Sequence, residues 1–403
     1  MTLFRLTLKS IQSRQWISLL LMGSIALSVM LLIGVQNIQL SAKKGFSRSI
    51  SGSDLIVGAR SGDIQLLLYT VFRKGTPIAN MSWDSFLDIQ SMRSVKWAVP
   101  ISLGDSLNGF PVLGTSMDYF KYFRYGQKKK LAIQSGRLFN DSDEVVMGAA
   151  VAKALGVNLN ETVHLSHGIA RSNLPMHRGH AFKIVGILNP TGTPVDQTVH
   201  VAIEAMTALH STAALDEIPP PATITGAFIG LTAKPMIFSV KNTITQWEKE
   251  PLMAIIPGVA LSQLWGIMAP IEHAFFVVTI LVMLISFIGL LIVLLMALQQ
   301  RQKELAILRA LGASPLQLAM TLVFESIAMT GGGILLGGGL IALAHMFLSP
   351  IIKATIGLDL IIGIHSLTDI GILLGIMVSA AIVSLIPAGL MYKKSQTVSM
   401  CVA

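Results

Sequence analysis

The chain has 403 residues, of which 52% are hydrophobic and only 13% are charged, and its mean hydropathy is +0.67. Soluble domains are typically about one quarter charged, so this composition excludes a chain that lies wholly in water. The formal net charge of +9 indicates membrane topology more than a nucleic-acid surface, and no nucleic-acid partner is expected.

The first predicted element is a membrane helix over residues 17–36, preceded by a cytosolic N-terminus, residues 1–16. Its uncharged run from Ile17 to Val35 has 19 residues, close to the roughly 20 that cross a bilayer. A cleaved signal peptide is the alternative, with a weak small-residue site at Leu40-Ser41-Ala42. The apolar part of such peptides is only about 7–15 residues, so we favour an uncleaved anchor.

Residues 37–272 are predicted to form a large α+β domain outside the cytosol. The only cysteine is Cys401, so this domain has no disulfide and depends on its own core. Strands are predicted over Asp54–Gly58, Trp97–Leu103, Phe110–Gly114, Glu144–Met147, Thr162–Leu165, Ala181–Leu188 and Val199–Ile203, with a strand-rich stretch over Thr223–Val240. Helices are predicted over Ser82–Met92, with Ser82 as its cap, over Ala149–Leu155, ended by Gly156, and over Asn242–Glu250.

Aromatic and basic residues are mixed over Asp118–Tyr125 and are followed by three lysines, Lys128–Lys130. One hypothesis is that this segment touches a lipid surface or an acidic partner. The interpretation that we favour is an ordinary half-buried segment followed by a solvated basic loop.

Four of the nine histidines fall within seventeen residues, on a predicted hairpin between two strands: His164, His167, His177 and His180. Imidazole is a good ligand for zinc and copper. However, residues three apart on a strand point to opposite faces, and no nearby cysteine completes a known spacing. A metal or pH-responsive site is therefore the secondary hypothesis, and solvated loop histidines are the favoured interpretation.

Three further membrane helices are predicted over residues 273–298, 318–348 and 370–392. A cytosolic loop, 299–317, and a short outer loop, 349–369, separate them, and a cytosolic tail, 393–403, follows. Eight basic residues lie on one side of this arrangement against Glu304 alone: Arg5, Lys9, Arg14, Arg301, Lys303, Arg309, Lys393 and Lys394. Because cytosolic loops are enriched in Lys and Arg, both termini are expected in the cytosol.

The loop 299–317 is predicted to contain a short amphipathic helix, a stop and a new helix start. Its apolar side carries Leu305, Leu308 and Leu311. Its more polar side carries Arg301, Lys303, Glu304 and Arg309. Gly312 suits a left-handed helix end, Ser314 an N-cap and Pro315 the first turn of the next helix. The segment is either an interfacial anchor or a lever on which a cytosolic motor pushes.

Three residues of the third span are candidates for packing or coupling. Glu325 is an acid within an apolar run, and we favour a structural polar anchor over a role in coupling, with proton transport the least favoured hypothesis. Gly333 and Gly337 are four residues apart, a spacing that lets helices approach closely. Packing within one subunit and a seam between two subunits are equally compatible with this spacing.

These features resemble the FtsX-like, MacB-type permeases of type VII ABC transporters, which are related to the LolC and LolE lipoprotein-release subunits. The cytosolic loop carries Arg301-Gln302-Lys303-Glu304, Ile307 and Arg309-Ala310-Leu311-Gly312-Ala313-Ser314 in the order typical of the family. In the outer domain, Gly136-Arg137-Leu138-Phe139, Glu144–Gly148 and Phe182–Leu188 are similar to the MacB periplasmic core. The layout of one span, a large domain and three spans is also similar.

The resemblance implies a permease of the bacterial inner membrane that works as a dimer, of identical or different chains, with two cytosolic ATPase subunits. The sequence has no Gly-x-x-x-x-Gly-Lys-Ser/Thr phosphate loop, so ATP and Mg are expected on the partner ATPase and no cofactor or catalytic residue on this chain. Coupling to the ATPase is then expected at Arg301, Lys303, Glu304, Leu305, Leu308, Arg309, Gly312 and Pro315.

Two functions follow from the resemblance. In the first, movement of the periplasmic domain exports or extracts an amphiphile, a peptide or a lipoprotein. In the second, as in FtsX proper, the chain transmits the state of the ATPase to a periplasmic protein and transports nothing. The first is preferred because FtsX has a much smaller outer domain.

Overall fold

The computed structural model describes residues 15–49, 52–167, 181–208, 221–300, 307, 310, 312–356 and 367–400. The chain divides into two compact units. The first, which we call the helical unit, comprises Met1–Ser41, Ala269–Pro350 and Leu360–Ala403. The second, which we call the sheet domain, comprises Ala42–Met268 and Ile351–Asp359.

Ten α-helices lie in the described residues: α1 Gln15–Arg48, α2 Asp63–Thr70, α3 Trp83–Gln90, α4 Asp118–Tyr122, α5 Ala149–Leu155, α6 Ile203–Ala208, α7 Ile237–Thr245, α8 Pro257–Gln300, α9 Pro315–Ile356 and α10 Leu367–Met400. Fifteen strands accompany them in the same residues: β1 Leu55–Ala59, β2 Met81–Ser82, β3 Val95–Leu107, β4 Phe110–Thr115, β5 Arg124–Tyr125, β6 Lys129–Lys130, β7 Ile133–Gly136, β8 Glu144–Met147, β9 Thr162–His164, β10 Ser166–His167, β11 Ala181–Leu188, β12 Val199–Ala202, β13 Thr223–Ile224, β14 Gly226–Leu231 and β15 Leu252–Ile255. Two short 3-10 helices, Pro194–Gln197 and Lys234–Met236, complete the described elements.

An eleven-stranded sheet forms the centre of the sheet domain. Nine strands follow the order β15-β1-β14-β3-β4-β12-β8-β11-β7, while β10 pairs with β3 and β9 pairs with β11. Most neighbours are antiparallel, but β12 runs parallel to β4, and β11 runs parallel to β8. Two small sheets, β13-β2 and β5-β6, are separate from it.

The central strands are apolar on both faces because both faces of the sheet are covered. In β1, Ile56 joins one hydrophobic cluster, whereas Leu55 and Val57 join another. In β14, Phe228 and Ala227 divide between the same two clusters in the same way. Side chains alternate between faces along a strand, so this division shows that the sheet separates two cores.

Several helix boundaries of the sheet domain follow from local chemistry and confirm the predictions. The Ser82 hydroxyl accepts the backbone N–H of Ser85 at 3.2 Å and caps α3. Helix α5 ends at Gly156, whose φ of +64° is the left-handed conformation that glycine adopts readily. The strands over Glu144–Met147 and Ala181–Leu188 have the predicted limits.

The predictions near residue 240 were wrong. The stretch Thr223–Val240 holds strand only as far as Leu231, and α7 covers Ile237–Thr245 instead of Asn242–Glu250. Val240 and Ile244 on α7 are buried against the sheet, so their four-residue spacing is helical. The apolar residues of strand β14 and of helix α7 follow one another closely, so in sequence they resemble one strand-rich stretch.

Within the described residues, four helices are long and apolar enough to cross a membrane: α1, α8, α9 and α10. Many of their large apolar side chains are exposed, including Phe276, Ile285 and Leu335. Exposure of this kind is expected where lipid tails are the solvent. Four apolar helices together with a large mixed domain confirm the predicted fold class.

Candidate coupling site

The start of α9 has the geometry that the loop sequence predicts. Gly312 has a φ of +95°, a conformation that favours glycine. The Ser314 hydroxyl accepts the backbone N–H of Gln317 at 3.2 Å, and the Gln317 side chain accepts the backbone N–H of Ser314 at 2.9 Å. This reciprocal capping fixes the first turn, and Pro315 is the first residue of the helix.

The charged residues of the predicted lever lie outside the described residues. These are Arg301, Lys303, Glu304 and Arg309, and the apolar Leu305 and Leu308 lie outside them as well. Of the same segment, Ile307 is described and is 61% exposed. The assignment of these residues to an ATPase contact therefore stays a prediction.

Gly333 and Gly337 lie against α1 of the same chain. A Cβ atom added at Gly333 would be 2.7 Å from the Cβ of Ile25. One added at Gly337 would be 2.9 Å from the carbonyl oxygen of Ala26 and 3.0 Å from Val29. Both positions therefore require the absence of a side chain, because the backbones of α9 and α1 approach closely there.

A serine cluster, which sequence inspection missed, joins α1 to α8. The Ser286 hydroxyl is 2.8 Å from the Ser24 hydroxyl and 2.9 Å from the Ser28 hydroxyl. Ser28 also donates to the carbonyl oxygen of Ser24 at 2.9 Å. The four-residue spacing of Ser24 and Ser28 inside an apolar run was the available signal, since it puts both hydroxyls on one face.

Glu325 is buried in the helical unit, with 3% of its surface exposed. Its neighbour Ser326 donates to the carbonyl oxygen of Ala380 at 2.9 Å and so joins α9 to α10. A carboxylate in this position requires polar interactions inside the bundle, because lipid provides none. Burial alone does not separate a polar anchor from a role in coupling, so both stay predictions.

Two family models match the chain and together cover both units. The model of the MacB-like periplasmic core domain matches residues 18–236, more than half of the chain, and the model of the FtsX-like permease C-terminal region matches residues 276–396. The chain belongs to the MacB- and FtsX-like permeases. Members of this family are membrane permeases of ABC transporters that work with an ATPase partner.

Two solved structures are similar to about half of the permease. The periplasmic region of MacB from Actinobacillus actinomycetemcomitans is 10% identical with a TM-score of 0.36, and the match covers 53% of the permease and 93% of that chain. The extracellular domain of the noncanonic ABC-type transporter YknZ from Gram-positive bacteria is 12% identical with a TM-score of 0.32. This match covers 50% of the permease and 98% of that chain. No curated protein matches the chain. The family assignment therefore rests on the two family models.

Of the four clustered histidines of the permease, two lie in the described residues, so the metal site stays a prediction. The His164 side chain is exposed at the end of β9, where its backbone pairs with Ala181. His167 lies in β10, opposite Asp105 of β3. His177 and His180 lie outside the described residues. No group of three or more metal-ligating residues occurs among the residues that the structure describes.

An ion pair ties two adjacent segments of the permease's sheet domain together. The Arg137 guanidinium donates to both carboxylate oxygens of Glu144, and the backbone N–H of Asn140 donates to the same carboxylate at 2.9 Å. The Glu144 side chain is only 8% exposed. These bonds, that from Arg137 above all, lower the pKa of Glu144 below its ordinary value and keep it ionised.

The sheet domain also contains a buried cation that sequence inspection missed. Arg73 donates to the Tyr119 hydroxyl at 3.3 Å, while its Nε and Nη1 atoms have no hydrogen-bond partner among the described residues. Burial, and then the charge of Arg73, lower the pKa of the nearby His200 to about 3, so this imidazole is neutral. Burying a charge whose hydrogen-bond donors are not all satisfied costs folding free energy.

Proposed function

We propose that this chain is the permease subunit of an ABC complex in the bacterial inner membrane. A separate cytosolic ATPase hydrolyses ATP with Mg, and the permease converts that cycle into movement of its periplasmic domain. The work done there exports or extracts an amphiphile, a peptide or a lipoprotein. Two permease chains, identical or different, act with the ATPase, and both permease chains are embedded in the membrane.

The observation that carries this proposal is the helix start at Gly312–Gln317. A helix with a capped first turn deforms less under an applied force than a helix with a frayed end, because its first backbone N–H groups are already hydrogen-bonded. The helix that begins there, α9, meets α1 through Gly333 and Gly337. The chain of α1 then continues into the sheet domain, since its residues run from Gln15 to Arg48. Sequence order and packing thus connect the coupling loop with the domain that does the work.

A double variant tests the lever. Glu304→Ala combined with Arg309→Ala is expected to uncouple ATP hydrolysis by the co-purifying ATPase from the permease, while the amount of permease in the membrane is unchanged. The control is Gln300→Ala combined with Gln302→Ala, which removes uncharged side chains from the same segment. Normal coupling in the charged double variant would remove the assignment of the lever.

Transport and signalling differ in what stimulates the complex. If the complex exports its substrate, lipopeptides or detergent-like amphiphiles should raise the rate of ATP hydrolysis by the reconstituted complex. If only a soluble periplasmic protein does so, the FtsX-like signalling function replaces export.

The proposed orientation is testable with the native cysteine. A membrane-impermeant maleimide should label Cys401 only after the cells are opened. Labelling in intact cells would place the C-terminus outside and overturn the proposed topology.

A further inference from the structure

A small basic hairpin projects from the sheet domain. Strand β5 pairs with β6 so that Arg124 faces Lys130 and Tyr125 faces Lys129. Gly126 and Lys128 in the turn both have positive φ, +57° and +59°. Lys128, Lys129 and Lys130 are all exposed. Two-residue strands have no core of their own, so contacts with the rest of the domain must hold this hairpin in place.

The hairpin is attached to the end of α1. The backbone N–H of Gly126 donates to the carbonyl oxygen of Arg48 at 2.8 Å. A Cβ atom added at Gly52 would lie 2.9 Å from the Cβ of Arg124, so the two chain segments touch. Lys44 precedes Arg48 by one helical turn, and both side chains are exposed. The lysines of the hairpin therefore continue a basic stripe on α1.

This basic stripe lies at the end of the sheet domain from which the chain runs into its apolar helices. The ring of Phe46 on α1 is 5.5 Å from the ring of Trp265 on α8, and the Lys43 ammonium is 5.6 Å from the same indole. Both helices lead directly into predicted spans, which end at residue 36 and begin at residue 273. Lys44 lies about 12 Å along the helix from residue 36 at 1.5 Å per residue, which is within reach of lipid headgroups.

The charge of this region is predominantly positive. Six exposed cations form what we call the basic surface: Lys44, Arg48, Lys121, Lys128, Lys129 and Lys130. Asp118 is the only acid between residues 118 and 130, and it lies 3.9 Å from Lys121. Residues 42–53 contain no acid. The surface thus retains a large positive excess after its one internal ion pair.

We propose that the basic surface binds the phosphate headgroups of anionic phospholipids in the outer leaflet of the permease's own membrane. Lysine ammonium groups donate to phosphate oxygens without demanding one geometry, which suits a fluid layer of headgroups. Tryptophan and lysine are also typical of the membrane–water interface, where Trp265 and Lys43 already pack together. Such binding holds the base of the sheet domain against the bilayer while the helices move.

The test measures how close the hairpin lies to headgroups in the full-length permease. Cys401→Ser removes the native thiol, and Gln127→Cys provides a fluorophore site at the exposed hairpin turn. The labelled protein is placed in nanodiscs that contain a headgroup-spin-labelled quencher lipid. Quenching is expected to be stronger with 30% phosphatidylglycerol than with phosphatidylcholine alone, and 0.5 M NaCl should abolish the difference.

Two triple variants make the test specific. Lys128→Gln, Lys129→Gln and Lys130→Gln together should lower the response to phosphatidylglycerol at least tenfold, because each basic residue near an anionic surface contributes about fivefold in affinity. The matched control, Lys153→Gln, Lys183→Gln and Lys234→Gln, changes the net charge equally at exposed lysines elsewhere and should behave like the parent.

Three outcomes would overturn the proposal. The first is equal quenching in neutral and anionic nanodiscs, and the second is an equal loss in both triple variants. In the third, soluble polyglutamate binds the hairpin in neutral nanodiscs while phosphatidylglycerol changes nothing. That third result would assign the basic surface to an acidic protein instead of a membrane.

Discussion

Glycines of the sheet domain and of the helical unit are both sites of close approach, but they meet different neighbours. A Cβ atom added at Gly136 would lie 2.1 Å from the carbonyl oxygen of Val185, and one added at Gly186 would lie 2.1 Å from that of Arg137. At Gly333 the first neighbour is a side chain, Ile25, at 2.7 Å. Backbone in a sheet cannot yield without breaking its ladder, whereas packed helices can shift by fractions of an ångström.

This difference indicates that the sheet domain is rigid at its close contacts, whereas the contact between α9 and α1 can shift. Gly136 and Gly186 are paired in the ladder of β7 and β11, and Arg137 donates its backbone N–H to the same Val185 carbonyl at 2.8 Å. Each close approach there is fixed by hydrogen bonds on both sides. Between α9 and α1, added Cβ atoms would meet both side chains and backbone carbonyls of α1, but helices, unlike strands, are not joined by a ladder of backbone hydrogen bonds. The sheet domain is therefore built to keep its shape, and the helix seam to permit small movements.

The largest effect is expected from Gly136→Ala. The residue has a φ of +79°, which costs a non-glycine residue about 1–2 kcal/mol, and the backbone clash adds roughly 1–3 kcal/mol. We expect unfolding of the sheet domain to begin at clearly lower temperature, measured by tryptophan fluorescence and limited proteolysis of the full-length protein.

Gly156→Ala is the matched control for Gly136→Ala. Gly156 also has a positive φ, +64°, but an added Cβ would meet nothing within 4 Å. Gly156→Ala should therefore lower the free energy of unfolding only by the cost of the left-handed conformation, about 1–2 kcal/mol. Equal effects at the two positions would mean that the β7–β11 contact is not rigid.

A smaller effect is expected in the helix seam. Gly333→Leu places a side chain against Ile25 and should destabilise the seam by about 1–3 kcal/mol, since the helices can separate locally. Gly338→Leu is the control, because no atom lies within 4 Å of its added Cβ. Stability of both variants in detergent and the ATPase activity that co-purifies with them provide the measurements. Equal behaviour would place the critical contact of α9 elsewhere.

Local features of the chain were predictable and long-range ones were not. Ser82, Gly156, Ser314 and Pro315 act on their own backbone, so their residue types alone indicate helix ends. The parallel pairing of β12 with β4 joins segments about 90 residues apart, and no local pattern specifies such a partner. In the candidate site, the glycine spacing predicted a close contact, but the choice of α1 as partner is a tertiary property.

The Arg137–Glu144 bridge should make the sheet domain sensitive to acid. The pKa of Glu144 is lowered in the folded state, so its stabilising effect is present above the ordinary value of 4.5 and is lost as pH falls through the lowered pKa. Arg137→Met should therefore be less stable than the parent at neutral pH, and the gap in stability should narrow as the pH falls below 4.5 and through the lowered pKa of Glu144. Thermal unfolding between pH 7 and pH 3 measures this gap.

A second ion pair provides the control for this pH dependence. Lys121 and Asp118 lie 3.9 Å apart, and both side chains are well exposed. Solvent screens such pairs, so Lys121→Met should change stability little at any pH. If the two variants show the same pH profile, then Glu144 does not depend on its guanidinium partner and the bridge does not stiffen the domain.

The smallest effect is expected at the serine cluster, which joins α1 to α8 and so tests a second helix contact of the helical unit. Ser286→Ala removes the contacts to the Ser24 and Ser28 hydroxyls, a longer one of 3.4 Å to the Ser24 carbonyl, and a bond of 3.0 Å to the Val282 carbonyl within α8. Ser28 keeps its bond to the Ser24 carbonyl. Interhelical hydrogen bonds in membranes average about 0.6 kcal/mol, so a loss near 1 kcal/mol is expected in denaturant titrations of the detergent-solubilised protein. Ser384→Ala removes a bond of 2.7 Å to Ala381 within one helix and isolates the interhelical part. Contacts of this strength allow helices to shift against one another, because stronger ones would resist displacement. A loss of several kcal/mol specific to Ser286→Ala would mean that α1 and α8 are locked, and the contrast with the sheet domain would then be wrong.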